Sequence, residues 1–141
     1  VSRMIDFRKR HPILRHPTTP AACGFPDLSF HHGAAGNDVV SFHDRQIGIM
    51  FGGRRPLGDI EHWDVSTPDE SGWADDFVFL AVNAHWEAHT QELPPLPEGY
   101  TWHMFMHTFR KDPFVTEESF DGHTAVIGPR SAAVFTGVPI S

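Results

Sequence analysis

The sequence predicts an all-β fold, an antiparallel β-sandwich of about seven to eight strands with one short N-terminal helix. Glycine and proline, twelve of each in 141 residues, divide the chain into short segments, which favours strands over long helices. Seven of these segments are rich in Phe, Val, Ile, Trp or Thr. Apolar residues at helical spacing occur near the N-terminus. With 40% hydrophobic residues, the chain can form the core of one domain.

The helix is predicted over residues 2–11, where Met4 and Phe7 recur at helical spacing and Pro12 follows directly. So short a helix is not stable alone in water. We therefore expect it to dock on the domain that follows, through Ile13 and Leu14, or on a part of the protein that this chain lacks. The chain begins almost inside the helical pattern, and it is interpreted as a fragment of a longer protein.

Seven candidate strands follow the helix, at residues 27–31, 47–51, 77–84, 89–93, 101–108, 124–127 and 132–136. The third begins with a continuous apolar run, which predicts a central strand covered on both faces. The fifth alternates, and this places Trp102, Met104 and Met106 on one face. Residues 52–76 carry seven acidic side chains and two basic ones, which predicts a long exposed acidic loop.

Charge and composition exclude several classes of protein. The net charge of −7 argues against nucleic-acid binding and against a polybasic membrane-surface protein, because both need clusters of Lys and Arg. No apolar run approaches the roughly 18 residues of a membrane-spanning helix, and no signal peptide is recognisable. The single cysteine, Cys23, cannot form an internal disulfide, so we predict a cytoplasmic protein.

Catalytic motifs are absent from the sequence. Cys23 is a lone thiol in a proline-flanked connector. No Gly-x-Ser-x-Gly elbow occurs, and the pair Gly52 and Gly53 lacks the spacing and the lysine of a phosphate-binding loop. We therefore predict no catalytic residue, no bound metal and no cofactor.

The eleven histidines raise one metal-binding alternative. His85, His89, Glu92 and Gly99 faintly resemble the first cupin motif, in which two histidines and a glutamate bind a metal. That motif needs two histidines separated by one residue, so that both lie on one face of a strand. Here three residues separate them. The other histidines are interpreted as scattered surface and half-buried side chains.

The tryptophans raise a second alternative, an independent carbohydrate-binding module. Trp63, Trp73 and Trp86 are the candidate binding residues, because flat aromatic faces stack on pyranose rings. The competing interpretation is that Trp86 and Trp102 fill the core. Trp63 and Trp73 fall in the predicted acidic loop, where exposure needs a reason.

Five stretches of the chain together resemble one known family. They are Ile-Asp-Phe-Arg-Lys-Arg-His-Pro-Ile-Leu-Arg at 5–15, Gly-Phe-Pro-Asp-Leu-Ser-Phe-His at 24–31, Asp-Phe-Val-Phe-Leu-Ala-Val-Asn-Ala-His-Trp-Glu at 76–87, Leu-Pro-Pro-Leu-Pro-Glu-Gly-Tyr-Thr-Trp-His at 93–103 and Gly-Pro-Arg-Ser at 128–131. In this order they are similar to bacterial glycogen-debranching enzymes of the isoamylase type, in glycoside hydrolase family 13. The first resembles the helix that closes the catalytic (β/α)₈ barrel of those enzymes.

The resemblance implies that residues 1–15 are the last helix of a missing catalytic barrel and that 16–141 form a C-terminal accessory β-sandwich. Enzymes of this family hydrolyse α-1,6 branches of α-glucans in carbohydrate metabolism, with carboxylates at the ends of barrel strands. Those motifs are absent here, so this chain is expected to be non-catalytic within an enzymatic parent. The expected partners are the barrel, which the domain packs against and stabilises, and an α-glucan. Self-association through the helix face of Met4, Ile5 and Phe7 is a further expectation.

Overall fold

The computed structural model describes residues 1–14, 25–26, 28–38, 44–56, 73–119 and 123–140. These residues form an antiparallel β-sandwich with one short N-terminal helix, as predicted. The elements are helix α1 (Ser2–Arg10), a 3₁₀ turn (Pro12–Leu14) and strands β1 (Leu28–Phe30), β2 (Gln46–Pro56), β3 (Trp73–Asn83), β4 (His89–Glu92), β5 (Tyr100–His107), β6 (Phe114–Ser119), β7 (Thr124–Ile127) and β8 (Ser131–Pro139). Within these ranges no helix is long and apolar enough to cross a membrane.

The strands form two sheets of unequal size. The larger has six strands in the order β1-β2-β3-β8-β5-β6, and the smaller is the antiparallel pair β4-β7. Each of the seven predicted strands is present. The sequence did not predict β6, an edge strand that pairs with β5 alone. An edge strand has one neighbour and needs no continuous apolar pattern, so its sequence signal is weak.

The inner core fills the space between the two sheets. Alternate residues of β3 face it, among them Phe77 and Phe79, which are fully buried. From β8, Phe135 packs in the same cluster, and Ile127 covers it from the smaller sheet. Because successive side chains of a strand point to opposite faces, the intervening residues of β3 must be covered from the other side.

The outer core lies on the opposite face of the six-stranded sheet, beneath α1. Phe7 of the helix and Ile13 of the 3₁₀ turn are buried against Val78 and Val134. The Phe7 ring stacks on the ring of Phe105 with centroids 4.3 Å apart. Strand β3 is thus covered on both faces, as its continuous apolar run predicted. The N-terminal helix folds back onto the sandwich.

A β-bulge in β5 overturns one prediction. The pairing register of β5 shifts between Met104 and Met106. Met104 belongs to the inner core, whereas Met106 packs against the outer core beside Phe105. The prediction that Met106 shares a face with Met104 was therefore wrong, because the extra residue of a bulge reverses the alternation beyond it. The same reversal brings His107 into the interior, where it is buried.

The predicted acidic loop is shorter than expected. Strand β2 continues to Pro56 and β3 begins at Trp73, so both ends of the segment 52–76 are paired strand. Asp76, expected on an exposed loop, is 4% exposed and lies in β3. The apolar run after it does not reveal that the strand extends backwards through two aspartates. Residues 57–72, with Trp63, lie outside the described part of the chain.

Candidate functional site

Two surface features of the described residues are candidate contact sites: the groove beside α1 and the turn that follows β3. The shape of the groove depends on the contacts that attach α1 to the sheet. Three basic residues, Arg8, Lys9 and Arg10, occupy the last turn of α1, where positive charge is favourable next to the helix dipole. His11 is the C-cap residue that follows the helix, and its backbone N–H donates to the carbonyl of Phe7.

A side-chain pair joins the end of α1 to the sheet. His11 Nδ1 lies 2.9 Å from one carboxylate oxygen of Asp76 and 3.1 Å from the other. Its ring also packs on Phe7, with centroids 4.4 Å apart. Because a buried carboxylate is costly without polar partners, this pair explains why Asp76 is tolerated in β3. The carboxylate anchors the helix and does not line an open cleft.

An apolar groove of about 410 Å³ remains open beside the anchored helix. Its floor is the outer face of the sheet and one wall is α1, and it is lined by Val1, Met4, Ile5, Phe7, Arg8, Leu14, Phe51, Val78, Leu80 and Val134. Ile5 is 50% exposed at its rim. Contiguous apolar surface of this kind is typical of sites that bind another protein. Each lining residue except Arg8 is apolar, so the groove has no group for acid–base or nucleophilic catalysis.

The second feature is the turn of residues 84–88, which the buried side chain of Asn83 holds in place. Asn83 Nδ2 donates to the carbonyls of Glu87, Ile127 and Gly128, at 2.8, 3.2 and 3.2 Å. Its Oδ1 accepts the backbone N–H of His85. One side chain therefore ties both ends of this turn to the connection between β7 and β8.

Two histidine rings and an indole form the outer surface of the turn. The ring of His85 stacks on Trp86 with centroids 4.1 Å apart and an interplanar angle of 30°. The backbone N–H of Glu87 donates to His85 Nδ1, so this nitrogen is unprotonated and His89 Nε2–H must donate to it as well, at 3.0 Å. His85 therefore carries its proton on Nε2.

The three tryptophans predicted to bind carbohydrate have different outcomes. Trp86 is 63% exposed in the turn, which argues against the core interpretation. Trp73 is the first residue of β3, and Trp63 lies outside the described residues. The core interpretation holds for Trp102, which is buried and donates its indole N–H to the carbonyl of Pro94 at 2.8 Å.

The cupin-like spacing brings two of its side chains together. His85 and His89 meet through a direct hydrogen bond rather than across a gap that an ion would fill. Glu92 lies at the end of β4, where its backbone N–H donates to the carbonyl of Gly33. In the described ranges, no group of three or more His, Cys, Asp and Glu side chains is arranged to hold a metal ion.

His31 is a buried structural residue that the sequence did not reveal as such. Its Nδ1 accepts the backbone N–H of Gly36 at 2.7 Å, so Nε2–H donates to Ser29 Oγ at 2.8 Å. Burial lowers the pKa of His31, with a further contribution from neighbouring His32. The backbone of His31 pairs with Gly48, where a side chain would collide with Phe79.

His107 is held in a similar way at the end of β5. The backbone N–H of Gly128 donates to its Nε2 at 3.3 Å. Burial lowers the pKa of His107, and the positive charge of Arg110 adds to the effect. No local sequence signal marks this burial, because it depends on the bulge that reorients the end of β5. Both histidines are neutral hydrogen-bonding parts of the interior.

No family model and no curated protein matches the chain. The motifs quoted above are therefore a resemblance carried by residues alone. Two geometric features accompany that resemblance, the open apolar groove beside α1 and the exposed Trp86 in a turn held by hydrogen bonds.

Proposed function

We propose that this chain is the non-catalytic C-terminal accessory domain of a glycogen-debranching-type glycoside hydrolase. In the parent enzyme, which hydrolyses α-1,6 branches of α-glucans, the domain packs against the catalytic barrel and stabilises it. The observation that carries the proposal is the open apolar groove along α1, the helix whose sequence resembles the last helix of such a barrel.

A helix at the boundary between two domains must be covered on two sides. One side of α1 is covered here by the sheet, through the buried ring of Phe7. Next to it the groove is open, and Ile5 stands half exposed at its rim. A barrel that packed against this surface would cover the remaining apolar side chains of the helix and the exposed strip of the sheet. The proposal thus accounts for both sides of α1.

The expected gain in stability is large enough to matter. Complete burial of one Leu, Ile, Met or Phe side chain contributes about 1.5–3 kcal/mol. Several half-buried apolar side chains line the groove, so covering them contributes several kilocalories per mole before the costs of association. The domain is therefore well suited to stabilise a neighbour to which it is covalently joined.

The carboxylates of the described residues support the expected lack of catalysis. Retaining glycosidases need two carboxyl groups that flank the scissile bond across a cleft. Asp76 is the one buried acidic residue in the described part of the chain, and its carboxylate is bound to His11. We expect the purified 141-residue chain to release no reducing sugar from a branched glucan.

The gene upstream of Val1 provides the first test. The expected reading frame encodes a (β/α)₈ barrel with catalytic carboxylates, and a frame without one overturns the proposal. The barrel and this chain can then be produced separately and mixed. We expect the chain to raise the Tm of the barrel, and the Ile5→Asp variant to lose this effect because it places a charge in the groove.

Val126→Asp is the matched control. Val126 is an exposed apolar residue on β7, in the smaller sheet and outside the groove. The Val126→Asp variant should raise the Tm of the barrel as much as the wild-type chain does. Equal loss in both variants, or no stabilisation by any form of the chain, would contradict the proposal.

Self-association is the competing use of the same groove. Light scattering over a range of concentrations distinguishes the two, because a dimer through the groove would dissociate in Ile5→Asp and persist in Val126→Asp. The buried Phe7 is unsuitable for this test, since a charge at that position would disrupt the outer core itself.

A further inference from the structure

We propose that the turn of residues 84–88 is a saccharide-binding platform on which one pyranose ring stacks against the exposed face of Trp86. The platform itself selects a neutral pyranose. The choice of an α-glucan as the natural ligand rests on the proposed function.

Trp86 is exposed and held in place at the same time. One face of the indole is covered by His85, so its 63% exposure leaves the opposite face open to solvent. A large aromatic side chain in this position gains little from burial in the folded chain. The hydrogen bonds of Asn83 fix the backbone on both sides of Trp86. Arg130 adds a third restraint, because its backbone N–H donates to the carbonyl of His85 at 2.9 Å.

This rigidity matters for binding because a pre-ordered site loses little conformational entropy when the ligand arrives. Tryptophan in particular offers a large flat contact area with few rotatable bonds. The stacked His85 ring further restricts the rotation of the indole. A flexible loop that carried an exposed tryptophan would lack this advantage.

The charge beside the indole bears on the class of ligand. Glu87 has an exposed carboxylate on the same turn, with one oxygen 4.0 Å from His85 Nδ1. A sugar presents an apolar C–H face to an aromatic ring, and its hydroxyls lie at the edge of the ring, where they stay in contact with water. The carboxylate disfavours a phosphorylated or otherwise anionic ligand.

The platform is separate from the groove. Trp86 lies in the connection between β3 and β4, and none of the residues that line the groove belongs to this turn. A glucan chain held at Trp86 would therefore leave the groove free for the barrel. In the parent enzyme the platform would hold a second segment of a branched polymer while another segment enters the catalytic site.

The test is a titration of the 141-residue chain with maltoheptaose, in which the NMR signal of the Trp86 indole N–H is monitored. Assignment comes from the signal that disappears in Trp86→Ala. A single stacking platform predicts a Kd on the order of 1 mM, with movement of this signal and of the His85 and Glu87 backbone amides. We expect at least a tenfold loss of affinity in Trp86→Ala, partial retention in Trp86→Phe and a smaller loss in His85→Ala.

Phe109→Ala is the matched control, because Phe109 is an aromatic residue with 62% exposure in the turn after β5. It should bind as the wild type does. The proposal is overturned if maltoheptaose leaves the Trp86 signal unmoved, or if Phe109→Ala and Trp86→Ala lose affinity equally. Binding of cellohexaose without binding of maltoheptaose would overturn the assignment to α-glucan.

The failure of this inference can be distinguished from the failure of the proposed function. Trp86→Ala should leave the stabilisation of the separately produced barrel unchanged, whereas Ile5→Asp should leave maltoheptaose binding unchanged. If Trp86→Ala instead abolishes barrel stabilisation, Trp86 is an interface residue. That outcome overturns the saccharide platform and leaves the accessory-domain proposal standing.

Discussion

The two faces of the six-stranded sheet are covered to different extents, although the same strands supply both. The inner face is sealed by the smaller sheet, and its aromatic side chains Phe77, Phe79 and Phe135 are inaccessible to solvent. Among the described residues, the outer face is covered by one short helix and the 3₁₀ turn. Leu80, a neighbour of Phe79 along β3, is only partly buried there, at the groove.

The difference shows which part of the molecule is complete in itself. The inner core needs nothing further, because each of its layers is supplied by this chain. The outer core joins α1 to the sheet but leaves apolar surface uncovered beside it. Among the described residues nothing covers this groove, and the proposed neighbour would cover it. The following changes test this contrast, beginning with the largest expected effect.

Truncation of one residue on each face measures the contrast directly. Phe79→Ala removes a fully buried ring and should lower the free energy of unfolding by about 3–5 kcal/mol. Leu80→Ala removes a partly buried side chain and should cost about 1–2 kcal/mol. Urea denaturation followed by circular dichroism measures both. Equal losses would show that the faces are equally packed, and Phe79→Leu provides a milder comparison if Phe79→Ala does not fold.

The pair of His11 and Asp76 should control how firmly α1 is attached. His11→Ala removes a hydrogen-bond partner of a buried carboxylate and should cost about 1–3 kcal/mol in the free energy of unfolding. Hydrogen exchange should show faster exchange in α1 while the amides of β3 and β8 keep their protection. Asp6→Asn, an exposed acidic position on the same helix, is the control and should have little effect. Unchanged exchange of α1 in His11→Ala would show that this pair does not anchor the helix.

A fall in pH should lower the free energy of unfolding through protonation of His31 and His107 in the unfolded chain. Because burial lowers the pKa of both residues in the folded state, the unfolded chain binds more protons when the pH falls. Their contribution to stability is complete above the unfolded-state pKa of about 6.5 and is lost as the pH falls towards the folded-state values. Each histidine should add a slope of up to about 1.4 kcal/mol per pH unit. Urea denaturation between pH 7 and 5 measures this slope.

Substitution of His107 tests its share of this slope. His107→Asn should reduce the slope by up to about 1.4 kcal/mol per pH unit, the contribution of one proton. An identical slope in wild type and His107→Asn would contradict a buried neutral imidazole at this position.

The strand pattern could be predicted from the sequence because its causes are local. Glycine and proline interrupt the chain wherever they occur, and a continuous apolar run such as residues 77–82 must be covered on both faces. The docking of Ile13 and the burial of Trp102 follow from the same local hydrophobicity. Strand β6 was missed because an edge strand is defined by its pairing with β5 rather than by a pattern of its own.

The candidate sites depended on contacts between residues far apart in the chain. Asp76 looks exposed in an acidic stretch, and its pairing with His11, 65 positions away, helps to make its burial tolerable. The exposure of Trp86 depends on Asn83, whose side chain fixes the turn against the connection from β7 to β8. Composition and periodicity reflect the free energy of placing each side chain in water or in a core. That local information was sufficient to predict the helix and most of the strands. Tertiary structure decided which polar groups meet and which apolar surface stays open, because both depend on the neighbours that folding brings together.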